Sequence, residues 1–142
     1  MDKKLKSILL LDDNLSTNFF HKKIIEKSNV ADLVLEFRSG TNALKYLSQE
    51  GIEQPELILV DINMPVMNAW VFLDKFSKLK NDSKIKTTII LLSTSLSPAD
   101  KERADAIPLI EHVLLKPLTK ESILKVIENI IEKKTDERSI KI

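Results

Sequence analysis

Asp12 and Asp13 follow the apolar run Ile8–Leu11 (ILLL), and Asp61 follows Leu57–Val60 (LILV). Ser93 and Thr94 follow Ile89–Leu92 (IILL), and Lys116 follows Val113–Leu115 (VLL). A carboxylate at the end of a buried apolar run is costly unless something meets it. Gathered in one place, such carboxylates repel: two unit charges about 4 Å apart interact by roughly 4 kcal/mol at an effective dielectric near 20. A hard divalent cation suits oxygen ligands, and Mg²⁺ uses few carboxylates while keeping waters and a phosphate oxygen. With the cation in place, Asp61 is free to act as a nucleophile toward phosphorus. The Lys116 ammonium and the Ser93 hydroxyl are the right groups to stabilise the charge of a transferred phosphoryl group.

For these residues to meet, the runs that carry them must be parallel neighbours. Ile8–Leu11, Leu57–Val60 and Ile89–Leu92 are continuous apolar stretches, as parallel strands covered on both faces require. Val113–Leu115 is a shorter run, and the more mixed Leu33–Phe37 suits a place nearer the edge. Helical patterns lie between them. Phe20, Ile24 and Ile25 share a face over about residues 16–28, and Ala43, Leu44 and Leu47 do so before Gly51, a helix stop. Trp70, Leu73, Phe76 and Leu79 mark a third helix. Ser97-Pro98 opens a fourth as N-cap and first turn. Thr119 caps the last, whose inner face carries Ile123, Ile127, Ile130 and Ile131. Strand and helix alternate five times, the pattern of an α/β domain with a parallel sheet and right-handed crossovers. Polar residues at the strand ends then line the carboxyl edge, where open α/β sheets bind ligands.

Composition narrows the function classes. The 142 residues suit one domain, expected over residues 1–134, with residues 135–142 (TDERSIKI) as a flexible tail. A net charge of +1 gives no field that points to nucleic acid or an anionic membrane. Cysteine is absent, which excludes disulfides and thiol chemistry and fits a reducing compartment. The apolar run near the N-terminus is ended by Asp12-Asp13, too soon for a signal peptide or a membrane span, so a cytoplasmic protein is expected.

Over about Lys6–Lys134 the sequence resembles the receiver domain of two-component response regulators. The marks are the acid pair in LLLDDN, the segment DINMPVM, the hydroxyl after IILL, and LLKP, in that order and each at a strand end. The resemblance implies a doubly wound, flavodoxin-like fold with five parallel strands in the order 2-1-3-4-5. It implies that Asp61 is the phosphoacceptor, and that Asp12, Asp13, Asp61 and the backbone carbonyl of Asn63 hold Mg²⁺. Ser93 matches the switch hydroxyl, and Lys116 matches the lysine that pairs with the phosphoryl group, followed by Pro117 through a cis peptide. The partners implied are a sensor histidine kinase or a histidine phosphotransfer protein, plus a downstream target. That target would read a face made by the Ser97–Ala106 helix, the Val113 strand and the last helix. No DNA-binding domain is expected, and the chain would be a monomer or a phosphorylation-dependent dimer. Three positions depart from the family pattern: Ala69 stands where Gly is usual, Thr94 where a smaller residue is frequent, and Val113 where Tyr or Phe is common.

Two other functions compete. A degenerate receiver would bind partners without phosphorylation, but all five key positions carry competent residue types. An aspartyl-nucleophile phosphatase would need an acid/base two residues after Asp61, where Asn63 cannot serve. Taken singly, several residues have plainer readings. Asp12-Asp13 alone would be a helix cap, and Met64-Pro65 a structural turn. His21 and His112 have no ligand spacing and are read as structural or surface residues. Trp70 and Phe72 are read as helix-face packing.

Overall fold

The computed structural model describes residues 4–79, 87–95 and 97–140. Strands β1 (Leu5–Leu11), β2 (Ala31–Phe37), β3 (Leu57–Asp61), β4 (Thr88–Ser93) and β5 (Ile110–Leu115) alternate with helices α1 (Leu15–Ser28), α2 (Gly40–Leu47), α3 (Ala69–Ser77), α4 (Pro98–Asp105) and α5 (Lys120–Ile140). All pairings are parallel, in the order β2-β1-β3-β4-β5, the doubly wound arrangement expected from the sequence.

The three most apolar strands divide their side chains between two cores with the period of two that a pleated strand imposes. Ile8 and Leu10, Leu57 and Leu59, and Ile90 and Leu92 face a layer containing Ile25 of α1 and Ile123, Val126, Ile127 and Ile130 of α5. Leu9 and Leu11, Ile58 and Val60, and Ile89 and Leu91 face the other layer. That layer contains Ala43 and Leu47 of α2, Phe72, Leu73 and Phe76 of α3, and Ala104 of α4. Both faces of these strands are dry, which is why their sequences read as unbroken apolar runs. The edge strands β2 and β5 are only partly covered, so their sequences are mixed.

Helix starts follow capping chemistry. Asn14, Ser39, Asn68 and Ser97 each accept a hydrogen bond from the N–H three residues on. Thr119 and Ser122 cap each other at the start of α5. Asn29 and Gly51 take positive φ at the exits that follow α1 and α2, the left-handed region that favours Gly and Asn.

Two expectations are corrected. The inward face of α1 is Asn18, His21 and Ile25, while Phe20 is exposed. The apolar pair Phe19-Phe20 masked this register, because a mainly polar inward stripe gives no amphipathic signal. The last helix also continues to Ile140 instead of ending at Lys134. Residues 135–140 lack an apolar period, yet Glu137 and Arg138 are good helix formers and no Gly or Pro interrupts them. Residues 141–142 of the expected tail lie outside the described residues.

Candidate functional site

Register brings the strand-end residues together. Leu11 lies beside Val60, and Asp61 beside Leu92. The next residue after β1 is Asp12, adjacent to Asp61. Ligand oxygens of Asp12, Asp13 and Asp61 all lie within 4.8 Å of one another, with Asp12 and Asp61 buried and Asp13 exposed. Lys116 follows β5, and its N–H donates to the Ser93 carbonyl at 2.8 Å. Its Nζ lies 2.6 Å from Asp12 Oδ2 and 3.2 Å from Asp61 Oδ1. The Lys116–Pro117 peptide is cis.

Electrostatics follow from this crowding. The Asp61 carboxyl is pushed above its ordinary value, first by burial and then by the negative charge of Asp12. Lys116 and the Asn63 N–H, which donates to Asp61 Oδ1 at 3.2 Å, pull it back only in part. Burial would lower the Lys116 ammonium, but its hydrogen bond to Asp12 and the charges of Asp12 and Asp61 outweigh burial and raise it. An ionised Asp61 therefore lacks sufficient positive charge from the protein. Oxygen donors this close, with one carboxylate destabilised by another, fit a hard divalent cation.

Strand alternation explains the remaining geometry. Continuing the even-numbered series of β1, the odd-numbered series of β3 and the even-numbered series of β5 puts Asp12, Asp61 and Lys116 on the α1/α5 side of the sheet. Ser93 continues the series Ile89 and Leu91, toward the α2/α3/α4 side. Its fully buried hydroxyl donates to the Ser95 carbonyl and accepts the Ser95 N–H at 3.2 Å. It is engaged with the loop that leads into α4.

Beside this rim lies an open cleft of about 530 Å³, lined in part by Asp13, Asn63, Asn68, Trp70 and Asp100. Trp70 meets α4 through Arg103, whose guanidinium lies 4.7 Å from its ring centroid. Ala69 is fully buried as the first residue of α3 behind its cap Asn68, so the loop accommodates a Cβ there. Val113 packs at the edge of the α2/α3/α4 core, and Thr94 is exposed.

A receiver-domain model, described as "Response regulator receiver domain", matches residues 8–128. The chain belongs to the response regulator receiver family. Its fold matches the crystal structure of a two component response regulator from Cytophaga hutchinsonii, with a TM-score of 0.81 and 32% identity, covering 91% of this chain and 98% of that one. A probable methanogenesis regulatory protein, FilR2 of Methanothrix harundinacea, is 28% identical over 88% of this chain and 81% of its own length. The sensor histidine kinase CheAY of Helicobacter pylori is 26% identical over 92% of this chain, which spans only 15% of that protein.

Two buried polar residues of this receiver had no signal in the sequence. Asn18 Nδ2 donates to the Asp12 carbonyl at 2.9 Å and to the Phe37 carbonyl at 3.0 Å. His21 Nε2 accepts the Leu118 N–H at 3.2 Å. His112, by contrast, is exposed on β5. Recognising that α1 turns a polar stripe inward would have found the first pair.

Proposed function

We propose that this receiver accepts a phosphoryl group on Asp61 in a Mg²⁺-dependent reaction. The observation that carries the reading is the convergence of three carboxylates within 4.8 Å of one another, with the Lys116 ammonium against two of them. Asp12, Asp13, Asp61 and the Asn63 carbonyl would hold the cation. Mg²⁺, when bound, supplies charge neutralisation and an anchor for phosphoryl oxygens.

Asp61 Oδ1 is held by Lys116 and the Asn63 N–H, so we assign the attack on phosphorus to Oδ2. A new O–P bond forms as the bond from phosphorus to the donor breaks; an imidazole nitrogen leaves with a proton taken from solvent, whereas a carboxylate oxygen leaves as the anion. Lys116 neutralises part of the added charge. Ser93 contributes its hydroxyl once it lets go of the Ser95 carbonyl, which couples the reaction to the loop before α4. The donor is a sensor histidine kinase or histidine phosphotransfer protein in the cytoplasm, and the product is a phosphorylated signalling state, not a released metabolite. The output surface is made by α4, β5 and α5.

Incubation with acetyl phosphate tests this. Intact mass should rise by one phosphoryl group in the presence of Mg²⁺. Asp61→Asn and excess chelator should each abolish the gain. The same gain in either case would remove Asp61, or the metal, from the reaction.

A further inference from the structure

Every backbone donor in the segment Lys116–Leu118 is accounted for. The Lys116 N–H goes to the Ser93 carbonyl at 2.8 Å. Pro117 has no N–H. The Leu118 N–H goes to His21 Nε2 at 3.2 Å. The segment that carries the Lys116 ammonium is therefore fixed at one end by β4 and at the other by a side chain of α1. Both His21 and Leu118 are 1% exposed, so water cannot replace the bond. Because Nε2 accepts, the ring is neutral and carries its proton on Nδ1.

One turn earlier on α1, Asn18 donates to the carbonyl of Asp12, the residue whose carboxylate meets Lys116 at 2.6 Å. The inward stripe of α1 thus grips both partners of that ion pair, Asp12 through Asn18 and the Lys116 segment through His21. Neither side chain touches the reacting atoms.

We propose that His21 is a positioning residue for phosphoryl acceptance, holding the Leu118 N–H so that the Lys116 ammonium stays aimed at Asp12 and Asp61. This rests on the reading of Asp61 as phosphoacceptor. The acceptor atom is what matters: the amide of a glutamine at position 21 reaches as far as Nε2 and can replace it, whereas phenylalanine fills the space without accepting.

Two measurements test it. In isotopically labelled wild type, a scalar coupling across the hydrogen bond is expected between the Leu118 amide nitrogen and His21 Nε2, and its absence overturns the proposal without any variant having to fold. Rates of phosphoryl gain from acetyl phosphate with Mg²⁺ are then followed by intact mass, well below the melting temperature of each protein. His21→Phe should be slower by about three- to ten-fold, the factor carried by one ordinary hydrogen bond. His21→Gln should recover most of the rate. In a Lys116→Ala background, His21→Phe should cause no further loss. Equal slowing with and without Lys116 would show a purely structural role and overturn the inference. An unslowed His21→Phe would do the same. Wild type gaining no phosphoryl group at all is a different result, which overturns the Asp61 reading itself.

Discussion

Lys116→Met removes the ammonium shared by Asp12 and Asp61 and leaves two buried carboxylates facing each other. Their ligand oxygens lie within 4.8 Å, where like charges repel by roughly 3.5 kcal/mol at an effective dielectric near 20. Breaking a buried charge arrangement by deleting one member typically costs 3–5 kcal/mol. We expect a loss of about 3 kcal/mol near neutral pH, or about 10 °C in Tm for a domain of this size. The deficit must depend on the charge of Asp61. That group is already held above its ordinary 3.8 by burial and Asp12, and losing Lys116 raises it further. The native variant then binds more protons than the unfolded chain as pH falls through the raised value, so the deficit shrinks toward acid. Saturating Mg²⁺ should recover stability at neutral pH by occupying the same carboxylates. Urea unfolding between about pH 5 and 8, with and without Mg²⁺, measures both effects. A deficit that is constant across pH and indifferent to Mg²⁺ would refute the electrostatic argument and reduce Lys116 to a packing residue.

Asp61→Asn should melt higher than wild type at neutral pH without divalent ions, because it removes a charge that burial and Asp12 oppose; the advantage should fade as pH falls through the raised Asp61 value. Burial first, and Lys116 second, hold the His21 imidazole below its ordinary 6.5, against the pull of Asp12. The unfolded chain therefore takes up the proton first, and wild-type stability should decline as pH drops below 6.5, until the folded-state imidazole also takes up its proton. His21→Phe should flatten that decline while costing about 1–3 kcal/mol for the orphaned Leu118 N–H, both read by denaturant titration. Asn18→Ala should cost about 2 kcal/mol in the same titration, since it withdraws the donor from the Asp12 and Phe37 carbonyls in a buried place.

Three of the four strands that carry the site, β1, β3 and β4, were legible because each is dry on both faces; β5, at the edge, gave only a short run before Lys116. A continuous apolar run ended by a charged residue states both the element and its rim. That is why the strand-end positions of Asp12, Asp61, Ser93 and Lys116 are legible in the sequence. The direction in which each side chain leaves the sheet was not legible to the same degree. It depends on alternation counted from a register that pairing alone defines, and it places Ser93 apart from Lys116. Helix α1 was misread at Phe20, which is exposed, whereas Asn18 and His21 join Ile25 on the buried face. Backbone carbonyls meet the Asn18 amide nitrogen and the Leu118 N–H meets His21, and sequence periodicity carries no information about such partners. The cation–π contact between Trp70 and Arg103 is hidden for the same reason: its members lie on different helices.

The sheet is also a partition. Its side chains seal two apolar compartments, one under α1 and α5 and one under α2, α3 and α4. At the rim Lys116 belongs to the first compartment and Ser93 to the second, and a backbone hydrogen bond from the Lys116 N–H to the Ser93 carbonyl joins the two residues. Under the proposed reaction, charge added at Asp61 would act on an ammonium whose segment is anchored by α1 and on a hydroxyl held by the loop before α4. In that reading the rim is a terminal shared by two chambers, and a chemical event there would reach both at once.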